Sequence, residues 1–146
     1  MSKDSAAARK MLDVGSAAAS LSANKGPLMA QILVIDDEPI VAMAVGVWLA
    51  DLGHTVVGPA MDLATALALA EQAVDAVILD ISLGAHTTAA LALRLAEQGV
   101  PFAVATGHDA ATTDPAFAKG LLLAKPFGFE AFRHVVERLL ALGRQA

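Results

Sequence analysis

ILVIDDEPI, residues 32–40, places three carboxylates, Asp36, Asp37 and Glu38, directly after a run composed for burial. Acids suit a helix N-terminus, where free N–H groups and the helix dipole stabilise negative charge. Pro39 agrees, since proline suits the first helical turn. A cap needs only one acid, however, and Asp36 lies on the strand side of the turn. Acids packed this closely raise one another's pKa unless a cation or strong donors offset the charge. The stretch therefore reads as a buried strand, a charged turn and a helix start, and it raises the question of a cation.

Outward from that turn, short β-type runs alternate with longer Ala- and Leu-rich stretches. The runs are QILVID (31–36), TVVG (55–58), AVILD (76–80), FAVAT (102–106) and LLLAK (121–125). The first, third, fourth and fifth are almost continuously apolar, as strands buried on both faces should be. Helical patterns cover Pro39–Leu52, Asp62–Gln72, Thr87–Gln98 and Phe129–Leu142, with Gly53, Gly99 and Gly143 stopping the first, third and last. This alternation predicts an α/β fold, a doubly wound five-stranded sheet of mostly parallel strands with helices on both faces. One interval breaks the rhythm: GHDAATTDPAFAK (107–119) holds Gly107, two threonines and Asp114-Pro115. A fourth helix there is expected to be short, irregular or mobile.

Composition bounds the answer. A chain of 146 residues that is 56% hydrophobic fits one domain with an ample core. The absence of cysteine excludes a disulfide framework and a thiolate zinc site. The longest apolar run, IVAMAVGVWLA (40–50), is too short to span a bilayer, and no signal peptide is evident. A cytoplasmic protein with no membrane partner is expected. Residues 1–29 carry a net charge of +2 and residues 30–146 a net of −7. So acidic a globule has no electrostatic footprint for nucleic acid. Residues 1–29, rich in Ala and Ser and ending near the turn signal NKGP, read as a disordered or loosely helical extension. A transit or docking peptide is the sharper reading, without strong support, and Met29 is an alternative start. Residues 30–146 form the domain proper, with no output domain expected beyond it.

In open α/β sheets, ligands bind outside the carboxyl ends of the strands. The first run ends in Asp36-Asp37, the third in Asp80, the fourth in Thr106 and the fifth in Lys125. Three acids, a hydroxyl and an ammonium thus collect on one edge. A carboxylate such as Asp80 can attack a phosphoryl group and become an acyl phosphate. Oxygen ligands from Asp36, Asp37 and Asp80 suit Mg²⁺, which would offset the crowding of the acids. Lys125 and the Thr106 hydroxyl can each meet a phosphoryl oxygen.

This constellation, in this order, resembles the receiver domain of two-component response regulators over about Gln31–Leu142. The resemblance implies the flavodoxin-like strand order 2-1-3-4-5, with Asp80 in VILDIS as phosphoacceptor and Thr106 in AVATG as switch residue. It implies Mg²⁺ held by Asp37 directly, Asp36 through water, Asp80, and the backbone carbonyl of Ser82. It also implies that LLLAKPFGFEAF carries the family's Lys-Pro step at Lys125, with a cis Lys125-Pro126 bond. Partners implied are a sensor histidine kinase or phosphotransfer protein and a downstream protein target. The protein would assist its own phosphorylation without being an enzyme on external substrates.

Departures point to a subfamily. Leu122 stands where most receivers have Tyr or Phe, so the common threonine–aromatic switch cannot operate in its usual form. DISLGAHTT lacks the usual proline, and GVPFAVATGHD resembles the Phe-Ala-Thr-Gly signature of the FAT GUY receivers, with Val104 interrupting it and His108 near the Tyr position. That group works with kinases of the HWE or HisKA2 type. A Mg²⁺-dependent phosphatase of the haloacid dehalogenase type is a second reading; it wants Asp-x-Asp where this chain has Asp36-Asp37-Glu38. A pseudo-receiver that keeps the residues without using them is a third.

Other residues read more plainly. His54, His86, His108 and His134 show no pair at ligand spacing, which argues against zinc. Only His108 lies beside the proposed pocket, where tuning of phosphoryl lifetime is conceivable. Phe129, Phe132, Val135, Val136, Leu139 and Leu140 form a core stripe on the last helix. Trp48 reads as packing, and Phe117, Leu121 and Phe132 as partner contacts only if exposed.

Overall fold

The computed structural model describes residues 29–107 and 114–145. The calls on residues 1–28 and on His108 lie outside that range. Five parallel strands form one sheet: β1 (Gln31–Ile35), β2 (Thr55–Ala60), β3 (Ala76–Asp80), β6 (Phe102–Thr106) and β7 (Leu121–Ala124). Their order is β2-β1-β3-β6-β7, the flavodoxin-like arrangement. Two further strands, β4 (Ser82–Leu83) and β5 (His86–Thr87), make a small antiparallel hairpin after β3. The helices are α1 (Pro39–Asp51), α2 (Leu63–Ala70), α3 (Ala89–Gln98) and α4 (Phe129–Gln145). No helix among the described residues is long and apolar enough to cross a membrane.

The apolar runs explain the layers, because alternate side chains of a strand point to opposite faces. Ile32, Val34, Ile78, Ala103 and Leu123 pack with Val45 and Leu49 of α1 and with Phe132, Val136 and Leu139 of α4. Leu33, Ile35, Val77, Leu79, Phe102 and Val104 pack with Ala66 of α2 and with Leu91 and Leu95 of α3. Trp48 is packing, as read: its ring lies 5.5 Å from that of Phe132 and 6.2 Å from that of Phe127.

Four details differ from the expectation. The fifth run is not buried on both faces: β7 is a sheet edge, Leu123 is buried and Leu122 is 59% exposed. Gly143 does not stop the last helix, which continues to Gln145. Phe117 and Phe132 are both buried, which removes them as partner contacts, while Leu121 is half-buried. The second strand runs past Gly58 to Ala60 through a cis Gly58-Pro59 bond. Between Thr106 and Gly120 the described residues hold a single 3₁₀ turn, Pro115–Phe117, in line with an irregular fourth helix. The Lys125-Pro126 bond is cis.

Candidate functional site

Parallel register brings the strand ends to one edge of the sheet. Ile35 of β1 pairs with Leu79 of β3, and Asp80 with Ala105 of β6. Thr106 pairs with Ala124 of β7, and its carbonyl accepts from the Lys125 N–H at 2.7 Å. Asp36, Asp80, Thr106 and Lys125 therefore end neighbouring strands.

One ammonium holds three carboxylates together. Lys125 Nζ lies 2.6 Å from Glu38 Oε1, 3.1 Å from Asp36 Oδ2 and 3.3 Å from Asp80 Oδ2. Asp36 is buried, and its Oδ1 accepts from the Glu38 N–H at 2.8 Å, so both its oxygens are engaged. Asp37 turns away from this cluster: its Oδ2 accepts from the Gly84 N–H at 2.7 Å, tying the acidic turn to the β4–β5 hairpin. Among the described residues its other oxygen has no hydrogen-bond partner. Burial, with the charge of Asp36, pushes Asp80 up to about 6; Lys125 pulls against that rise and Asp37 adds to it. Burial disfavours the Lys125 ammonium, but the bond to Glu38 and the charges of Asp80 and Asp36 outweigh it and raise its pKa above the ordinary lysine value.

The hairpin shapes the other wall. Thr88 N donates to the Ile81 carbonyl at 2.8 Å, which makes Ile81 and Thr88 a hydrogen-bonded pair. Antiparallel pairs alternate, so Ser82 and Thr87 form a non-hydrogen-bonded pair and the Ser82 carbonyl is left free of the hairpin. Thr88, wholly buried, donates its hydroxyl to the carbonyls of Asp80 at 2.6 Å and Ile81 at 2.9 Å. The Thr106 hydroxyl, also buried, donates to the Gly107 carbonyl at 2.9 Å.

The donor chemistry fits Mg²⁺. Carboxylate oxygens of Asp36, Glu38 and Asp80 lie within 4.8 Å of one another, and every candidate ligand is an oxygen. Asp36, Glu38 and Asp80 are the residues whose carboxylate oxygens come together there.

The sequence named Asp36, Asp37, Asp80, Ser82, Thr106 and Lys125, and the structure gathers Asp36, Asp80 and Lys125 directly. Glu38 was quoted in the acidic run but given no place in the site. Its position one residue from the pair was the signal, yet sequence could not show which way it reaches. Thr88 was missed, because nothing in HTT separates the buried threonine from the exposed one.

Beside the cluster a groove of about 470 Å³ runs between α1 and the Lys125-Pro126 corner, lined by Glu38, Ile40, Ala44, Trp48, Lys125 and Phe127 among others.

A parallel sheet in this order, with an acid turn after β1, an Asp ending β3 and a Lys-Pro step after β7, defines the receiver class. The response regulator receiver domain family matches residues 32–137, and the chain belongs to that family. SdrG from Sphingomonas melonis Fr1 is 34% identical with a TM-score of 0.68, over 78% of this chain and 98% of that one. NtrX from Brucella abortus is 31% identical with a TM-score of 0.70; the match covers 80% of this chain and 28% of NtrX. The chemotaxis response regulator CheY4 of Vibrio cholerae is 27% identical with a TM-score of 0.65, over 77% and 99% of the two chains. No curated protein sequence matches the chain.

Proposed function

We propose that the protein is a phosphoacceptor: Asp80 takes a phosphoryl group from a kinase phosphohistidine and the modified domain binds a protein target differently. The observation that carries this is the pairing of Asp80 with Lys125 at 3.3 Å beside the buried Asp36, at the carboxyl edge of the sheet. Asp80 Oδ attacks phosphorus, the donor's N–P bond breaks, and the imidazole leaves with the electron pair of that bond. Lys125 has an ammonium in place for one phosphoryl oxygen, and the Thr106 hydroxyl, by rotating off the Gly107 carbonyl, offers a donor for another. When bound, Mg²⁺ supplies positive charge that offsets the acids and the phosphoryl oxygens. Asp37, through its unbonded oxygen, and Asp36, whose oxygens are engaged by the Glu38 N–H and Lys125, would help to hold the ion beside Asp80.

The domain turns over no external substrate; hydrolysis of the acyl phosphate resets it. The phosphodonor is a sensor histidine kinase of the HWE or HisKA2 type or a phosphotransfer protein. The exposed Leu122 supports an output that does not use an inward-moving aromatic ring. No observation favours the phosphatase reading over this one.

Intact mass spectrometry after incubation with phosphoramidate, with and without Mg²⁺, tests the proposal. One Mg²⁺-dependent phosphoryl adduct on the wild type and none on Asp80→Asn is expected. Failure of the wild type to label from phosphoramidate and from a phosphorylated cognate kinase alike would leave the pseudo-receiver.

A further inference from the structure

The three carboxylates around Lys125 are not equivalent. The Lys125 ammonium donates to Glu38 at 2.6 Å and to Asp80 at 3.3 Å, and Asp36 crowds it as an ion partner at 3.1 Å. A phosphoryl oxygen arriving on Asp80 is a further acceptor at an ammonium already within 3.3 Å of three carboxylates, so the one that water can most easily serve gives way. The Asp36 side chain is 4% exposed and cannot be left without a partner cheaply. Asp80 carries the phosphoryl group itself. The Glu38 side chain is 57% exposed, so water can replace the ammonium for it.

Among the described residues, nothing else binds the Glu38 carboxylate in place. Glu38 is the N-cap of α1 but makes no side-chain cap bond, and Pro39 follows it at the first helical position. Its backbone is fixed by the bond from its N–H to Asp36 Oδ1, which aims the side chain across the site to Lys125, where it makes the shortest of the three contacts, 2.6 Å. We propose that Glu38 is a positioning residue, a latch that holds the Lys125 ammonium in the resting protein and is displaced into solvent when Asp80 carries a phosphoryl group. Glu38 thereby competes with the phosphoryl oxygen for Lys125 and restrains activation. The inference rests on Asp80 being the phosphoacceptor.

Beryllofluoride with Mg²⁺, a tetrahedral mimic of a phosphoryl group on a carboxylate, is the probe, and Trp48, which lines the same groove as Lys125, provides a fluorescence signal. Glu38→Gln weakens the latch by removing its charge. Glu38→Asp keeps the charge but is one methylene too short to reach. Both are expected to bind beryllofluoride roughly two- to fivefold more tightly than the wild type, the range for a partly exposed ion pair. A gain in Glu38→Gln alone would reduce the effect to general repulsion and overturn the latch. In the wild type, the carboxyl ¹³C resonance of Glu38 should move to the position of a solvated carboxylate on adding the probe; an unmoved resonance overturns the latch as well. Binding to neither wild type nor variants would defeat the phosphoacceptor reading itself, whereas wild-type binding without the variants' gain defeats the latch alone.

Discussion

Thr88 donates its hydroxyl to the backbone carbonyl of Asp80 at 2.6 Å from a wholly buried position. The same hydroxyl reaches the Ile81 carbonyl at 2.9 Å, so one side chain fixes the backbone that carries Asp80 and leads into the hairpin at Ser82. Thr88→Val keeps the shape but leaves the Asp80 carbonyl without its donor. The expected loss is about 1–3 kcal/mol in urea unfolding, with Thr88→Ser retaining most of the stability. A Val variant as stable as wild type would show that water replaces the hydroxyl.

Asp80 itself is held at a cost. Its pKa lies near 6 against an ordinary 3.8, so the folded protein binds the proton more tightly than the unfolded chain between those values. Stability therefore falls as pH rises through that window, and the full cost applies above it. In Mg²⁺-free buffer at pH 7.5, Asp80→Asn should be more stable than wild type by about 1 kcal/mol, after discounting for solvent access. The difference should shrink toward zero near pH 4. Melting curves at the two pH values check it, and an Asn variant less stable at pH 7.5 would mean that the Lys125–Asp80 bond outweighs burial.

Much of this arrangement was legible because burial on both faces leaves a plain mark in sequence. QILVI, AVILD and FAVAT could be placed as central strands, and the order of their terminal residues then named Asp36, Asp80 and Thr106. The fifth run misled: LLLA is just as apolar, yet it forms an edge, where Leu122 meets solvent. The second run was read only to Gly58, whereas the strand continues through Pro59 to Ala60. β2 is also an edge, and there proline is tolerated. Glu38 and Thr88 were illegible as site residues for a different reason: their roles depend on side-chain reach across 87 and 8 residues of chain, to Lys125 and Asp80, which no local pattern encodes.

Gly58 marks the tight point of that edge. Its φ is +94°, and a Cβ there would lie 2.8 Å from Ala60 N and 3.0 Å from Val34 O, both backbone atoms that cannot swing aside. Gly58→Ala should cost upward of about 2 kcal/mol, combining positive-φ strain with displacement of β2 from β1. Chemical denaturation measures it. A drop smaller than that of a half-buried control such as Gly46→Ala, where open space surrounds the added carbon, would contradict the packing.

His54 fastens the start of the sheet and makes it sensitive to acid. Its Nδ1 accepts from the Ala30 N–H at 3.1 Å, a bond that only the unprotonated nitrogen can make. Burial lowers its pKa below 6.5, and the nearby charge of Asp75 only partly restores it. The unfolded chain therefore binds the proton more readily. Stability from His54 is fully present above pH 6.5 and is lost as pH falls through that value toward the lower folded-state pKa. Asp75 is engaged with the same strand, its Oδ2 accepting from the Gln31 N–H at 2.7 Å, so it stays in place as His54 titrates. His54→Asn offers an oxygen acceptor that does not titrate. Between pH 7.5 and 5.5 the wild type should lose more melting temperature than the variant, and amide exchange at Ala30 should speed up in the wild type alone. Parallel losses in the two proteins would assign the acid sensitivity to other groups and leave the Ala30–His54 bond with no part in it.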